Sequence, residues 1–310
     1  MRTDLSTGDF GAGRVRKRRR GVALLPALFT LGNCLSGFAS ISFSARGLDP
    51  APPFASSYSL AGYCIFVAML FDMFDGFVAR LTRSTSDFGA ELDSLADMVS
   101  FGIAPAFLSI KLIGDLLHAQ TPTGKEFLYF PGPFQDDAWL RLFWVIAGVY
   151  VSCTALRLAR FNVLNKHDVG SHMNFRGIPS PGAGAVVAAT VIFFEGLRTG
   201  THANPFNVPE QMIQWLKAIF PYLVPVVLLI SALLMVSRFA YSHLINRFMR
   251  GRKSFRTLVG FLLLAMIIVW QPQLSVVTAI YLYALSAPVM WLMGKATGKT
   301  RRATPIAPHQ

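Results

Sequence analysis

The chain is dominated by apolar blocks, most of them near the roughly 20 residues that a helix needs to cross a bilayer. They fall at 24–43, 58–81, 92–117, 139–160, 182–197, 213–236, 258–270 and 274–293, with Gln271-Pro272-Gln273 as a tight turn between the last two. The seventh block, at 258–270, is short enough to be re-entrant. In lipid every backbone polar group must be satisfied within the chain, which leaves helices or closed barrels. Uninterrupted blocks of this length specify helices. Composition agrees, since 53% of the 310 residues are hydrophobic and only 15% charged, well below the charge of an ordinary soluble domain. The expected fold is an all-α polytopic membrane bundle of about eight helices, six forming a core and two added at the C-terminal end. The first block runs on too long, and lacks the small-residue cleavage site, to read as a signal peptide.

Charge sets the expected topology. With the amino terminus in the cytoplasm, the outer segments hold only Arg46, Lys111, Lys125, Arg141, Arg198 and Lys217 of the 29 basic residues. The rest gather at 2–20, 80–83, 157–176, 238–256 and 295–302 on the inner side, as the positive-inside rule requires. Both termini are then cytoplasmic, which an even number of spans demands. The net charge of +13 is read as this topology signal and not as a nucleic-acid surface. The run RVRKRRR at 14–20 is a topology anchor that could also attract anionic lipid. The expected segments are a basic tail at 1–23, a core at 24–237, a basic loop with two further helices at 238–293, and a C-terminal tail at 294–310. Cys34, Cys64 and Cys153 all lie in apolar spans without metal-ligand spacing and read as packing residues.

Against this background, Asp72, Asp75, Asp93 and Asp97 stand out at the inner ends of the second and third spans. A carboxylate beside hydrocarbon loses its hydration and is costly unless something positive joins it. Asp72 and Asp75, three apart, share a helix face with Gly76 and Arg80 one and two turns on; Ala79 keeps the flank small. Gly89, Asp93 and Asp97 are spaced by four on the next helix. If the two faces oppose each other, four carboxylates converge. Hard oxygen donors with no nearby Cys or His suit Mg²⁺ or Mn²⁺, and four acids suffice for two such ions. Arg80 can pair with a phosphate in bidentate fashion. Salt bridging to Arg80 and Arg83 is the structural alternative, but two arginines do not balance Asp72, Asp75, Asp87, Glu91, Asp93 and Asp97. A divalent-cation transporter is the alternative of another kind. It fits less well, because transport sites lie near the bilayer midplane and these acids gather at one end beside a cation.

The pattern Asp72-x2-Asp75-Gly76-x2-Ala79-Arg80-x8-Gly89-x3-Asp93-x3-Asp97 resembles the complete signature of the CDP-alcohol phosphotransferases. That resemblance implies transfer of the phosphatidyl group of a CDP-linked donor to an alcohol with release of CMP, a six-span core and a homodimer. Carried over by position, it implies metal binding by Asp72, Asp75, Asp93 and Asp97, with Asp97 also the general base. Gly76, Ala79 and Arg80 would face the donor, together with Ser86, Gly89 and Asn33. Four patches narrow the acceptor: Thr30-Leu31-Gly32-Asn33 with Ser36-Gly37, the run 85–106, Arg157-Leu158-Ala159-Arg160-Phe161-Asn162, and Phe175-Arg176-Gly177-Ile178-Pro179-Ser180-Pro181. They are similar to the membrane-integral bacterial phosphatidylserine synthases, implying CDP-diacylglycerol as donor and L-serine as acceptor. Glycerol 3-phosphate, inositol phosphate or choline are the alternative alcohols. Serine's carboxylate calls for arginine, and Arg157, Arg160 and Arg176 are the candidates. Asn33 and Asn162, read as polar residues at span ends, either contact substrate or cap a helix. The expected location is the inner (cytoplasmic) membrane with the site facing the cytoplasm. The last two spans carry no expected chemistry.

Overall fold

The computed structural model describes residues 12–48, 56–82, 87–118, 137–167, 177–199, 209–237, 239 and 272–296. Among these there is no strand. The elements are α1 (Ala12–Ala45), α2 (Ser57–Thr82), α3 (Asp87–Asp97), a π-helical segment (Met98–Ile103), α4 (Ala104–His118), α5 (Ala138–His167), α6 (Ser180–Thr199), α7 (Glu210–Val236) and α8 (Pro272–Ala296). Seven stretches among the described residues are long and apolar enough to span a membrane. They match the first six expected spans and the eighth. The expected seventh, 258–270, lies outside the described residues.

Two features of the helices differ most from the sequence expectation. Helix α1 starts at Ala12, so the basic run 14–20 is wound into the first spanning helix. Arg and Lys are good helix formers, and an existing helix extends through them at little cost. The third span is not one regular helix: it changes winding at Met98, directly after Asp97. The Ala104 N–H bonds the Val99 carbonyl five residues back. Pro105 has no N–H for the carbonyl of Phe101 four residues earlier, and the Tyr150 hydroxyl donates to that carbonyl instead at 2.9 Å. An inserted turn of this kind is frequent at functional sites.

Between membrane helices, small residues permit close approach. A stripe of small or polar residues at Thr30, Asn33, Gly37, Ser40 and Ser44 follows one face of α1, and its four side chains bearing polar groups are all buried. A Cβ at Gly37 would lie 2.6 Å from the Ser100 Oγ, so α1 crosses the π segment nearly backbone to backbone. Ser100 in turn donates to the Asn33 carbonyl at 2.8 Å. Apolar packing forms two clusters. One joins α2, the π segment, α4, α6 and α7 through Tyr58, Ile65, Phe101, Leu108, Phe194 and Phe220. The other joins α5, α6, α7 and α8 through Tyr150, Ile178, Val187, Leu228, Met235 and Ala284.

Before α6 the chain turns at Gly177, whose φ of +86° places it in the left-handed region that glycine tolerates. A Cβ there would fall 2.4 Å from the Met235 carbonyl oxygen. The Gly177 and Ile178 N–H groups donate to the Phe239 and Leu234 carbonyls at 2.8 and 3.1 Å. The start of α6 is thereby pinned to the end of α7.

Candidate metal centre

Asp72 and Asp75 come from α2 and Asp93 from the facing helix α3. One carboxylate oxygen of each lies within 4.8 Å of the others. The helical spacing explains the meeting: residues three apart on α2 present one face, and α3 delivers Asp93 to it. Asp97, one turn beyond Asp93, lies within hydrogen-bonding reach of Asp72, and Asp75 lies within reach of Asp93. Asp75 and Asp97 are only 6% and 7% exposed, so solvent does little to dilute the mutual repulsion.

Helix α1 fixes the acids from behind. The Thr30 hydroxyl donates to Asp75 Oδ2 at 3.0 Å, with the Pro26 carbonyl at 3.1 Å as its other acceptor. The Asn33 amide donates to Asp97 Oδ1 at 3.0 Å. Asn33 is wholly buried in the interior of α1, which corrects its placement at a span end. It caps no helix; its amide holds a carboxylate. Asn162 does stand at the end of its span, 138–163, within the longer helix α5. Its amide donates to Ser94 Oγ at 2.9 Å and to Glu91 at 3.3 Å, tying α5 to α3.

The remaining walls come from α5 and α6. Arg157 donates through Nη1 to Ser180 Oγ at 2.9 Å, and its charge faces both Asp97 and Asp72. Its Nε is buried and has no partner among the described residues. The same holds for Asp93 Oδ1 and Asn33 Oδ1. Buried polar atoms are rarely left unpaired in folded proteins, and here three of them gather around one set of acids. On the far side, nothing among the described residues lies within 4 Å of where a Cβ on Gly76 would stand. The wall beside Asp72 and Asp75 is therefore open.

The other expected site residues divide. Ala79 and Gly89 are half-buried on α2 and α3. Arg80 continues the α2 backbone, but its side chain, and all of Ser86 and Arg176, lie outside the described residues. Arg83 does too, so the salt-bridge alternative rests on side chains that are not described. Arg160 is exposed on α5. Thr30, Ser180 and Ser94 escaped individual notice in the sequence. For Thr30 a signal existed, since it sits three residues before Asn33 and so shares its helix face.

Chemically, the described residues form an all-oxygen donor set with an orphaned carboxylate oxygen, a facing guanidinium and an open wall. It fits a hard divalent cation and an anionic ligand beside it.

The family model for CDP-alcohol phosphatidyltransferases matches residues 23–223. The chain is 33% identical over 171 residues to a CDP-diacylglycerol–serine O-phosphatidyltransferase of Helicobacter pylori strain J99, covering 54% of this chain and 57% of the relative. It is 39% identical over 132 residues to the enzyme of that name from Methanocaldococcus jannaschii, covering 43% and 48%. It is also 32% identical over 167 residues to an archaetidylserine synthase of Methanothermobacter thermautotrophicus, covering 53% and 56%. The matched region spans about half the length of these curated relatives.

Proposed function

The chain belongs to the CDP-alcohol phosphatidyltransferase family, and from that membership we propose that it transfers the phosphatidyl group of CDP-diacylglycerol to the hydroxyl of L-serine, releasing CMP. The observation that carries the reading is the meeting of Asp72, Asp75 and Asp93 beside Asp97 and Arg157, with open space at Gly76.

Asp72, Asp75 and Asp93, with Asp97 at their edge, would hold two Mg²⁺ or Mn²⁺ ions. When bound, such ions polarise a diphosphate and offset the charge that gathers on the departing CMP oxygen. Gly76, Ala79, Arg80, Ser86, Gly89 and Asn33 form the donor side. The space over Gly76 admits the cytidine diphosphate, and Arg80 stands one turn further along α2 to meet its phosphates. Of these, Asn33 acts through Asp97, since its amide is already committed to that carboxylate.

Asp97 takes the proton of the serine hydroxyl as its oxygen attacks the phosphatidyl phosphorus. The new P–O bond forms to serine, and the P–O bond to CMP breaks. Asn33 holds one oxygen of Asp97, so the carboxylate keeps its aim throughout. Arg157, Arg160 and Arg176 are the candidates for the serine carboxylate. Arg157 suits it best: Ser180 uses Nη1, and the unpaired Nε leaves a donor edge for a carboxylate, which a guanidinium can bind with two parallel bonds. The names of the relatives favour serine.

The charge distribution supports a multi-pass protein of the cytoplasmic membrane with this site facing the cytoplasm. The family resemblance supports a homodimer. The test uses purified full-length protein with CDP-diacylglycerol and Mg²⁺ or Mn²⁺. Serine, glycerol 3-phosphate, inositol phosphate and choline are supplied separately, and CMP release and the lipid product are measured. Serine alone should support turnover. Turnover on another alcohol without serine transfer overturns the acceptor. Cation uptake into proteoliposomes without CMP release overturns the reaction.

A further inference from the structure

Helix α8 lies beyond the segment matched by the family model, residues 23–223, and nothing in the sequence assigned it chemistry. The structure brings it to the acceptor side of the site. Ala284 and Ala287 are buried among Ile178, Ala183 and Val187, which seats α8 against α6. The Tyr281 and Thr190 hydroxyls lie 2.6 Å apart and hydrogen-bond across that seam. Tyr283, two residues on, crosses the first turn of α6. Its ring would stand 3.5 Å from a Cβ on Gly182. Gly182 is two residues after Ser180, the residue that accepts the bond from Arg157. The Tyr283 phenol also lies within electrostatic reach of the Arg157 guanidinium.

We propose that Tyr283 is a positioning residue for the acceptor: it confines Arg157 from the α8 side while Ser180 holds it from α6, so that the Nε edge is presented to the serine carboxylate. The assignment rests on the serine reading above. An arginine side chain has many rotamers, and confining one before the ligand arrives removes an ordering cost from binding. The effect belongs to acceptor affinity. The donor lies on the α2 and α3 side, and the proton moves at Asp97.

The test is a steady-state comparison of full-length wild type, Tyr283→Phe and Tyr281→Phe, varying serine at saturating CDP-diacylglycerol and then the reverse. Removing the phenol oxygen from the electrostatic surroundings of the guanidinium should raise the serine KM of Tyr283→Phe about five-fold. Its kcat and donor KM should stay within about two-fold of wild type, as expected for a contact used in binding only. Tyr281→Phe, which loses a hydroxyl from the same helix, should leave the serine KM unchanged. Arg157→Lys should raise the serine KM as well, and adding Tyr283→Phe to it should raise it no further, because the two act as one unit.

An unchanged serine KM in Tyr283→Phe overturns the inference while leaving the serine reading intact. So do equal shifts in both tyrosine variants, or full additivity with Arg157→Lys. Wild-type protein that ignores serine and consumes another alcohol overturns the serine reading, and this assignment with it.

Discussion

Two buried polar clusters sit about 20 Å apart along α2, by the rise of a helix, and they are solved in opposite ways. At the start of α2, Lys111 and Asp115 pair at 2.5 Å while only 3% and 11% exposed. Tyr58 donates to the second oxygen of Asp115. Beside them, Glu195 is wholly buried and accepts two bonds from Arg198 at 2.8 Å. Each acid there has its own cation. At the other end Asp72, Asp75, Asp93 and Asp97 gather, Arg157 faces Asp97 and Asp72, and among the described residues Asp93 Oδ1, Asn33 Oδ1 and Arg157 Nε have no partner. Balanced charges hold helices together, whereas unbalanced ones leave room for a charged visitor. The difference between structure and chemistry in this protein is a difference in how completely the charges are settled.

Breaking the unbalanced cluster should have the largest effect on turnover. Asp97→Asn should lower kcat at least about 1,000-fold, within the usual range for a general base, while binding of CDP-diacylglycerol persists. Wild-type-like turnover in that variant would remove the assigned role. Asp72→Asn or Asp75→Asn should cut activity comparably and also raise the Mg²⁺ or Mn²⁺ concentration for half-maximal rate, read by metal titration. A variant whose metal dependence is unmoved would separate that acid from the metal.

One step out, Asn33→Ala should reduce kcat about 10- to 100-fold, the scale on which groups that orient a metal's ligands act. Retained activity would mean that Asp97 needs no support from α1. The balanced cluster should respond in another currency. Lys111→Met leaves Asp115 buried without its cation and should lower stability by about 3–5 kcal/mol, seen as a fall in thermal midpoint in detergent. The kcat of the surviving folded protein should not change. A kcat defect there would show that the two ends communicate. The smallest change is expected for Thr30→Val, about 1 kcal/mol for one hydrogen bond, with a modest loss of rate.

The sequence made much of this legible. Apolar block length located seven of the spans, because hydrocarbon thickness is a hard constraint. The spacing by three and four placed Asp72, Asp75, Asp93 and Asp97 on faces that do meet. What it hid depends on tertiary context. By sequence Lys111 and Arg198 read as topology charges, although Asp115 and Glu195 stand four and three residues away; only burial shows that they are internal pairs. Asn33 reads as a span-end residue only if its polarity is given more weight than its position, which is the middle of the block 24–43; the bond to Asp97 shows why a buried amide is tolerated there. The role of α8 was invisible, since Tyr281 and Tyr283 look like ordinary residues of an apolar span until α6 is packed beside them. The π segment left a trace in Gly102 and Pro105, but winding is settled by Tyr150 from a different helix.

That π segment amounts to one surplus residue inserted between the acids and the rest of their span. Delete any single position from 98 to 103 and the span can rewind as regular helix, equally greasy and still long enough to cross. Membrane insertion, which reads hydrophobicity and length, has no means of noticing. Yet each residue of an α-helix carries a turn of about 100°, so Asp93 and Asp97 would swing away from α2. The protein would reach its membrane and sit there inert, its activity lost to a miscount and not to the removal of any reacting group.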